Sequence, residues 1–337
     1  MIARSFHAWE RRLASVDTNR IVRPFEWGLP WLGFDESNSD PAAAVSAYAG
    51  EALAASDHFY DCPPIDDYEL TDGLLRFPSA LETPYPANNT VVARVFPARP
   101  RTSPSPRRAV VVLPQWNADT EGHVGLCHLF ARFGITALRL SLPYHDSRRP
   151  AELERADYIV SSNVGRTLHA NRQAVLDARR TVAWLAREGY ERIGIMGTSL
   201  GSCLAMLTMA HEPRITAGAF NHVSPYFADV VWRGLSTRHV RAGLDGHVTL
   251  DALRGFWLPI SPAPFIERVR GRQLLLVYAQ YDLTFPVDLS RAFIREFRRQ
   301  EIWHEAALLP CGHYTTGKAP FKYLDGYYLT KFFVKRL

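Results

Sequence analysis

The feature that most restricts the fold of this 337-residue chain is an alternation that begins at Ala109. Apolar, strand-length runs take turns with stretches of helical periodicity, almost to the last residue. Residues 109–113 and 135–140 read as strands separated by a helix over 121–133 that Gly134 closes. A long helix over 166–188 places Val175, Ala178, Val182 and Leu185 on one face, with Gly189 after its end. The alternation continues as strand 192–196, helix 200–212, strands 215–223 and 273–279, helix 287–299, strand 302–309 and helix 319–333. Such an order predicts the α/β class, a mostly parallel central sheet with helices on both faces.

What flanks this alternation is less regular. Residues 68–77 and 90–96 read as two further strands, joined to the alternation by a basic, Pro-rich loop at 97–108. The Ser-Pro pairs of that loop have the form of phosphorylation motifs, and a solvated hairpin loop accounts for them. The sequence divides into an irregular N-terminal extension over 1–65, with an Ala-rich helical piece near 42–55, and one α/β domain over 66–337. Within that domain residues 224–272 are rich in aromatics, Pro and Gly, and read as a lid-like insertion over one edge of the sheet.

Composition removes several function classes. The net charge of +5 comes from 35 Arg and 4 Lys against 34 acidic residues. The arginines are scattered, so they form no nucleic-acid-binding stripe, and a coding preference for Arg explains them. No apolar run approaches the ~20 residues that a membrane helix needs, which predicts no transmembrane segment. The cysteines, Cys62, Cys127, Cys203 and Cys311, are far apart and make neither a zinc ribbon nor a disulfide framework. Arg4, Glu10, Arg11 and Arg12 deny the N-terminus the apolar core of a signal peptide. These readings together predict a reduced, cytoplasmic enzyme.

The sharpest chemical signal is Gly197-Thr198-Ser199-Leu200-Gly201, which follows one predicted strand and opens an apolar helix. A serine held on so tight a strand-to-helix turn is exposed at the sheet's C-terminal edge as a nucleophile, and its flanking glycines let strand and helix pass closely. Such a nucleophile needs a base, and the base an orienting carboxylate, each on a later loop at a strand's C-terminal end. The strand at 273–279 runs into Gln280-Tyr281-Asp282, and the strand at 302–309 into Pro310-Cys311-Gly312-His313. Asp282 and His313 therefore come in the order Ser, Asp, His.

With these motifs, the chain from about residue 68 to the C-terminus resembles the α/β-hydrolase superfamily. A further set is similar to its abhydrolase-domain-eighteen branch: Pro143-Tyr144, Arg148-Arg149-Pro150, Trp184-Leu185 and Arg187-Glu188-Gly189-Tyr190. The resemblance implies Ser199 as nucleophile, His313 as general base and then acid, and Asp282 holding the imidazole tautomer. It also implies hydrolysis of a carboxylic ester through an acyl-enzyme, with no cofactor and no metal. A serine peptidase or amidase of the same fold, and a non-catalytic binding module, are the rival functions.

One oxyanion N–H is expected from Leu200, and the other from Trp116 or Gln115 in the loop after the strand at 109–113. The mouth of the site is expected to be framed by Tyr144, His145, Tyr226, Trp232, Tyr281 and Tyr314, with His145, Arg148 and Arg149 available to an anionic head. That many aromatics predict a small-molecule or lipid-like ester with an apolar acyl part. Three weaker patterns compete. Gly312-His313-Tyr314-Thr315-Thr316-Gly317-Lys318 has the spacing of a phosphate loop, but Ala319 follows where a hydroxyl must ligate magnesium. His123, Cys127 and His128 share a helix but lack a fourth metal ligand. Phe321, Leu324, Tyr328 and Phe332 form a stripe that a helix packed on the sheet explains better than a membrane surface does.

Overall fold

A computed structural model describes residues 2–99 and 106–337. The Ser-Pro pairs of the Pro-rich loop begin in the stretch outside the described residues. Nine strands form one sheet: β1 (Glu69–Thr71), β2 (Leu74–Pro78), β3 (Thr90–Phe96), β4 (Arg108–Leu113), β5 (Thr136–Leu140), β6 (Arg192–Thr198), β7 (Ile215–Asn221), β8 (Gln273–Ala279) and β9 (Glu305–Leu309). Their order across the sheet is β1-β2-β3-β5-β4-β6-β7-β8-β9. The first three pair antiparallel with each other and with β5, and every later pairing is parallel. This is the fold expected from the alternation of elements.

Both faces of the parallel part are buried, because successive side chains of each strand point to opposite apolar layers. Val111, Ile195, Leu274 and Leu276 belong to one layer, under helices Val164–Arg187, Leu200–His211 and Val287–Arg299. Val110, Val112, Met196, Leu275 and Val277 belong to the other, under helices Val124–Arg132 and Phe321–Arg336. Phe332 and Phe333 are buried in that second layer and Phe321, Leu324 and Tyr328 pack against it, so the C-terminal stripe faces the sheet. No helix of the described residues is long and apolar enough to cross a membrane.

Some boundaries differ from the sequence reading. The run 68–77 is not one strand but a hairpin, since Asp72 and Gly73 both take positive φ and turn the chain back. The last strand begins at Glu305, which leaves His304 outside it, with its Nδ1–H donated to the Ile302 carbonyl. The N-terminal extension is more ordered than its composition suggests. Residues Ile2–Ala14 form a helix, and Pro41–Ala54 form another, capped by the Asp40 side chain on the Ala43 N–H and opened by Pro41. Leu29, Leu32, Val45 and Ala52 join the larger apolar layer, so the extension shares the core of the domain. Between β7 and β8 the insertion holds three short helices, Phe227–Arg233, Arg238–Leu244 and Leu250–Phe256.

Candidate active site

The register of the parallel strands aligns their C-terminal ends. Leu113 pairs with Gly197, Thr198 with Asn221, Asn221 with Val277, and Ala279 with Leu309. The loops that follow β4, β6, β7, β8 and β9 therefore leave from one edge, and they carry Trp116, Ser199, His222, Asp282 and His313.

Ser199 stands between β6 and helix Leu200–His211 with φ 58° and ψ −119°, a conformation that ordinary side chains rarely hold. Its N–H donates to the Asn221 carbonyl at 2.8 Å, which fastens the turn to β7. The two glycines of the motif are needed for contact. A Cβ on Gly197 would lie 1.9 Å from the Gly201 carbonyl oxygen, and one on Gly201 would lie 2.2 Å from that of Leu113. The helix start is thus drawn against the end of β4, and Trp116 in the loop that follows β4 shares a recess wall with the serine. Leu200 is the first helical residue, so its N–H has no partner within the helix. The N–H groups of Gln115 and Trp116 make no hydrogen bond among the described residues.

Asp282 and His313 meet as their positions on adjacent strand ends require. The His313 Nδ1–H donates to Asp282 Oδ2 at 3.0 Å. The other oxygen, Oδ1, accepts the N–H groups of Thr284 at 2.8 Å and Phe285 at 2.7 Å. Sequence reasoning missed a third partner, His222, which follows β7 and donates its Nδ1–H to the same Oδ2 at 2.8 Å. A single histidine after a strand carries no motif, and only the alignment of β7 with β8 reveals it. Burial alone would raise the Asp282 pKa, but the positive charge of His313 and hydrogen bonds from both imidazoles hold it well below the usual carboxylate range. For His313 burial acts to lower the pKa, and the Asp282 charge and hydrogen bond outweigh it, so the ring is pushed up. His222 is lowered by burial and by its like-charged neighbour. Ligand atoms of His222, Asp282 and His313 all lie within 4.8 Å of one another, so these are the residues that could hold a metal. Both Nδ1 atoms are already committed to one carboxylate oxygen.

A recess of about 470 Å³, its open mouth included, has Ser199 in its wall. Trp116, Tyr226, Phe227, Val230, Val231 and Phe285 supply its apolar lining, and no residue in its wall carries a charge. Of the six aromatic and histidine residues expected at the mouth, Tyr226 lines this recess, and the other five are not in its wall, although Tyr314 lies beside His313. Tyr144 is wholly buried, edge-on to Tyr85 and Tyr158. His145 is buried behind the oxyanion loop: its Nδ1–H donates to the Pro143 carbonyl, and its Nε2 accepts the Asn117 N–H at 2.9 Å. Trp232 lies under the Arg241 guanidinium, Tyr281 stacks on Phe6, and the Tyr314 hydroxyl accepts a hydrogen bond from Arg20. Arg148, proposed for the rim, is completely buried and paired with Asp177 at 2.8 Å, while Arg149 is exposed and donates to the Glu154 carbonyl. An aromatic count cannot separate a pocket wall from other packing, and here Tyr144 and His145 fill core while Trp232, Tyr281 and Tyr314 are half-buried. His123, Cys127 and His128 do not converge: His123 bonds the Thr198 hydroxyl, Cys127 is buried, and His128 is exposed against Phe96.

The buried imidazoles have a consequence for stability. Burial lowers His123, His145, His169, His211 and His239 from 6.5 to about 4 each. Between those values the unfolded chain binds more protons than the folded one, so stability is complete above pH 6.5 and is lost as pH falls toward 4. His313, being raised, works in the opposite direction but is outnumbered. The expected result is a urea unfolding midpoint that drops steeply between pH 7 and pH 5. A midpoint that stays flat across this range would contradict the burial of these rings.

Comparison with known proteins shows what the fold is similar to. A family model described as alpha/beta hydrolase domain containing 18 matches residues 66–232. No curated protein matches the chain. An acetyl xylan esterase from a Paenibacillus species is similar at 13% identity and a TM-score of 0.64, over 91% of this chain and 98% of that one. Acetyl xylan esterase 1 from a Thermoanaerobacterium species is similar at 12% identity and a TM-score of 0.58, over 96% and 98%. The acylaminoacyl peptidase of Pyrococcus horikoshii is similar at 14% identity and a TM-score of 0.60, over 81% of this chain and 42% of the peptidase, so the chain spans less than half the peptidase's length. At these identities the likeness is one of fold.

Proposed function

We infer that this chain, a member of the α/β-hydrolase superfamily, is a serine hydrolase that cleaves a carboxylic ester through an acyl-enzyme. The observation that carries the reading is the strained Ser199 turn opening on an uncharged recess, with the Asp282–His313 pair at the same edge of the sheet, on the ends of β8 and β9. Ser199 attacks the carbonyl carbon as His313 Nε2 takes the hydroxyl proton. Asp282, ionised and fixed by two backbone N–H groups, holds the His313 tautomer through Nδ1 and stabilises the imidazolium that forms. The Leu200 N–H, with that of Trp116 or Gln115, receives the oxyanion. His313 then protonates the leaving alkoxide, and in the second half activates water against the acyl-enzyme. Each step uses groups of this chain, the ester and water, so the reading needs neither metal nor cofactor.

Structural neighbours named as esterases and as a peptidase leave the choice between ester and amide open, and the recess supports the first. Its wall holds no carboxylate to anchor a substrate amine. An apolar acyl group matches its Trp, Tyr, Phe and Val lining. A fluorophosphonate should therefore label the protein, with peptide mass mapping locating the adduct on Ser199. Against p-nitrophenyl esters, kcat/KM should rise by about tenfold or more from acetate to butyrate and longer chains, as methylenes enter an apolar wall. A clear preference for acetate would mean that the recess does not take the acyl group.

A further inference from the structure

We propose that the N-terminal helix is a working part of the active site, with Glu10 as the positioning residue that holds the His313 loop. This deepens the hydrolase reading and rests on it for its activity readout.

Glu10 is fully buried, although it sits between exposed Arg11 and half-buried Trp9 on a helix whose first turn is exposed. Its carboxylate accepts the N–H groups of Tyr314 at 3.0 Å and Thr315 at 2.9 Å, and the Thr315 hydroxyl at 2.8 Å. These two N–H groups immediately follow His313. They belong to the segment Gly312–Lys318 whose spacing imitates a phosphate loop, and the anion they bind is a side chain of the same protein. Gly312 is shaped to this carboxylate, since a Cβ there would lie 2.4 Å from Glu10 Cδ. Two more anchors flank it. Phe6 stacks on Tyr281, next to Asp282, with ring centroids 4.5 Å apart, and Arg20 donates to the Tyr314 hydroxyl at 2.8 Å. The N-terminal segment thus grips the loop of the acid and the loop of the base at once.

Position and charge follow from this contact. The groups facing His313 are Asp282 from the loop after β8, His222 from the loop after β7 and Glu10 from the N-terminal helix, with the Phe285 and Tyr314 rings on either side. Burial works to lower the His313 pKa, and after Asp282 the Glu10 charge contributes to raising it. Removing that charge lowers the pH at which His313 becomes a base.

The test uses full-length Glu10→Gln, Glu10→Ala and Gly312→Ala, with rates normalised to sites labelled by fluorophosphonate. Glu10→Ala is expected to lower kcat by about 10- to 100-fold with KM within about twofold, because the base is displaced and the recess is untouched. Gly312→Ala should do the same from the other side of the contact, and the double variant should be no worse than either single one. Glu10→Gln keeps the shape but loses the charge, and should move the acid limb of kcat/KM to lower pH. Unchanged kcat and acid limb in both Glu10 variants would overturn the proposal, as would a lower melting temperature with unchanged rate per labelled site. If the wild type takes no label, the hydrolase reading fails, and the His313 Nδ1–H resonance decides the inference separately: its shift or loss in Glu10→Ala upholds the proposal, and an unmoved resonance refutes it.

Discussion

On the proposed mechanism, replacing Ser199 with Ala is expected to lower kcat for a p-nitrophenyl ester by about a million-fold, leaving only the residual that oxyanion donors and binding supply. The size of the effect follows from what remains. The Asp282–His313 pair would still stand, but its proton acceptor would serve no nucleophile, and members of such a set fail together. The fold should be unaffected, because the strained turn is held by the Ser199 backbone N–H on the Asn221 carbonyl and by the glycines, not by the hydroxyl. Equal melting temperatures for variant and wild type are therefore part of the expectation. Turnover within tenfold of wild type would show that another residue performs the chemistry.

The second large effect is on stability. Gly201→Ala puts a Cβ 2.2 Å from the Leu113 carbonyl oxygen and 2.6 Å from that of Pro114. Both obstacles are backbone, so no rotamer change relieves them, and the end of β4 must part from the helix that carries the nucleophile. Overpacking of this kind costs about 3 kcal/mol or more. A urea midpoint well below wild type is expected, and the labelling rate at Ser199 should fall even under fully folded conditions, because the oxyanion loop moves with β4. Gly255→Ala is the internal comparison. It lies in helix Leu250–Phe256, where an added Cβ would meet no heavy atom within 4 Å, so it should stabilise by up to about 1 kcal/mol. Indistinguishable midpoints for Gly201→Ala and wild type would remove the steric basis of the turn.

What sequence could convey depended on range. The turn at Ser199 is written in five consecutive residues between two periodic segments, so its geometry was legible locally. Asp282 and His313 were legible through chain order, since each ends a strand whose apolar run is plain. The hairpin at Asp72-Gly73 was missed, because the apolar run across this turn dipeptide reads as one continuous strand. His222 and Glu10 were not legible. His222 acquires its role from the register of β7 on β8, and Glu10 sits in a charged stretch that looks solvated until the far end of the chain covers it. Tyr144 and His145 illustrate the opposite failure, in which suitable chemistry stands near the site in sequence and points into the core.

The Glu10 contact also has a meaning in time. It joins residues 304 and 305 positions apart, so almost the whole chain lies between the two halves of one ion-binding cradle. During synthesis at about 5 to 20 residues per second, the N-terminal helix waits roughly 15 to 60 s before its docking site exists. Ser199 and its turn are complete well before that, yet they face neither acid nor base until the last strands arrive. The proposed centre therefore waits on one of the longest closures among the described residues, and a nascent chain carries the Ser199 turn before Asp282 and His313 can join it.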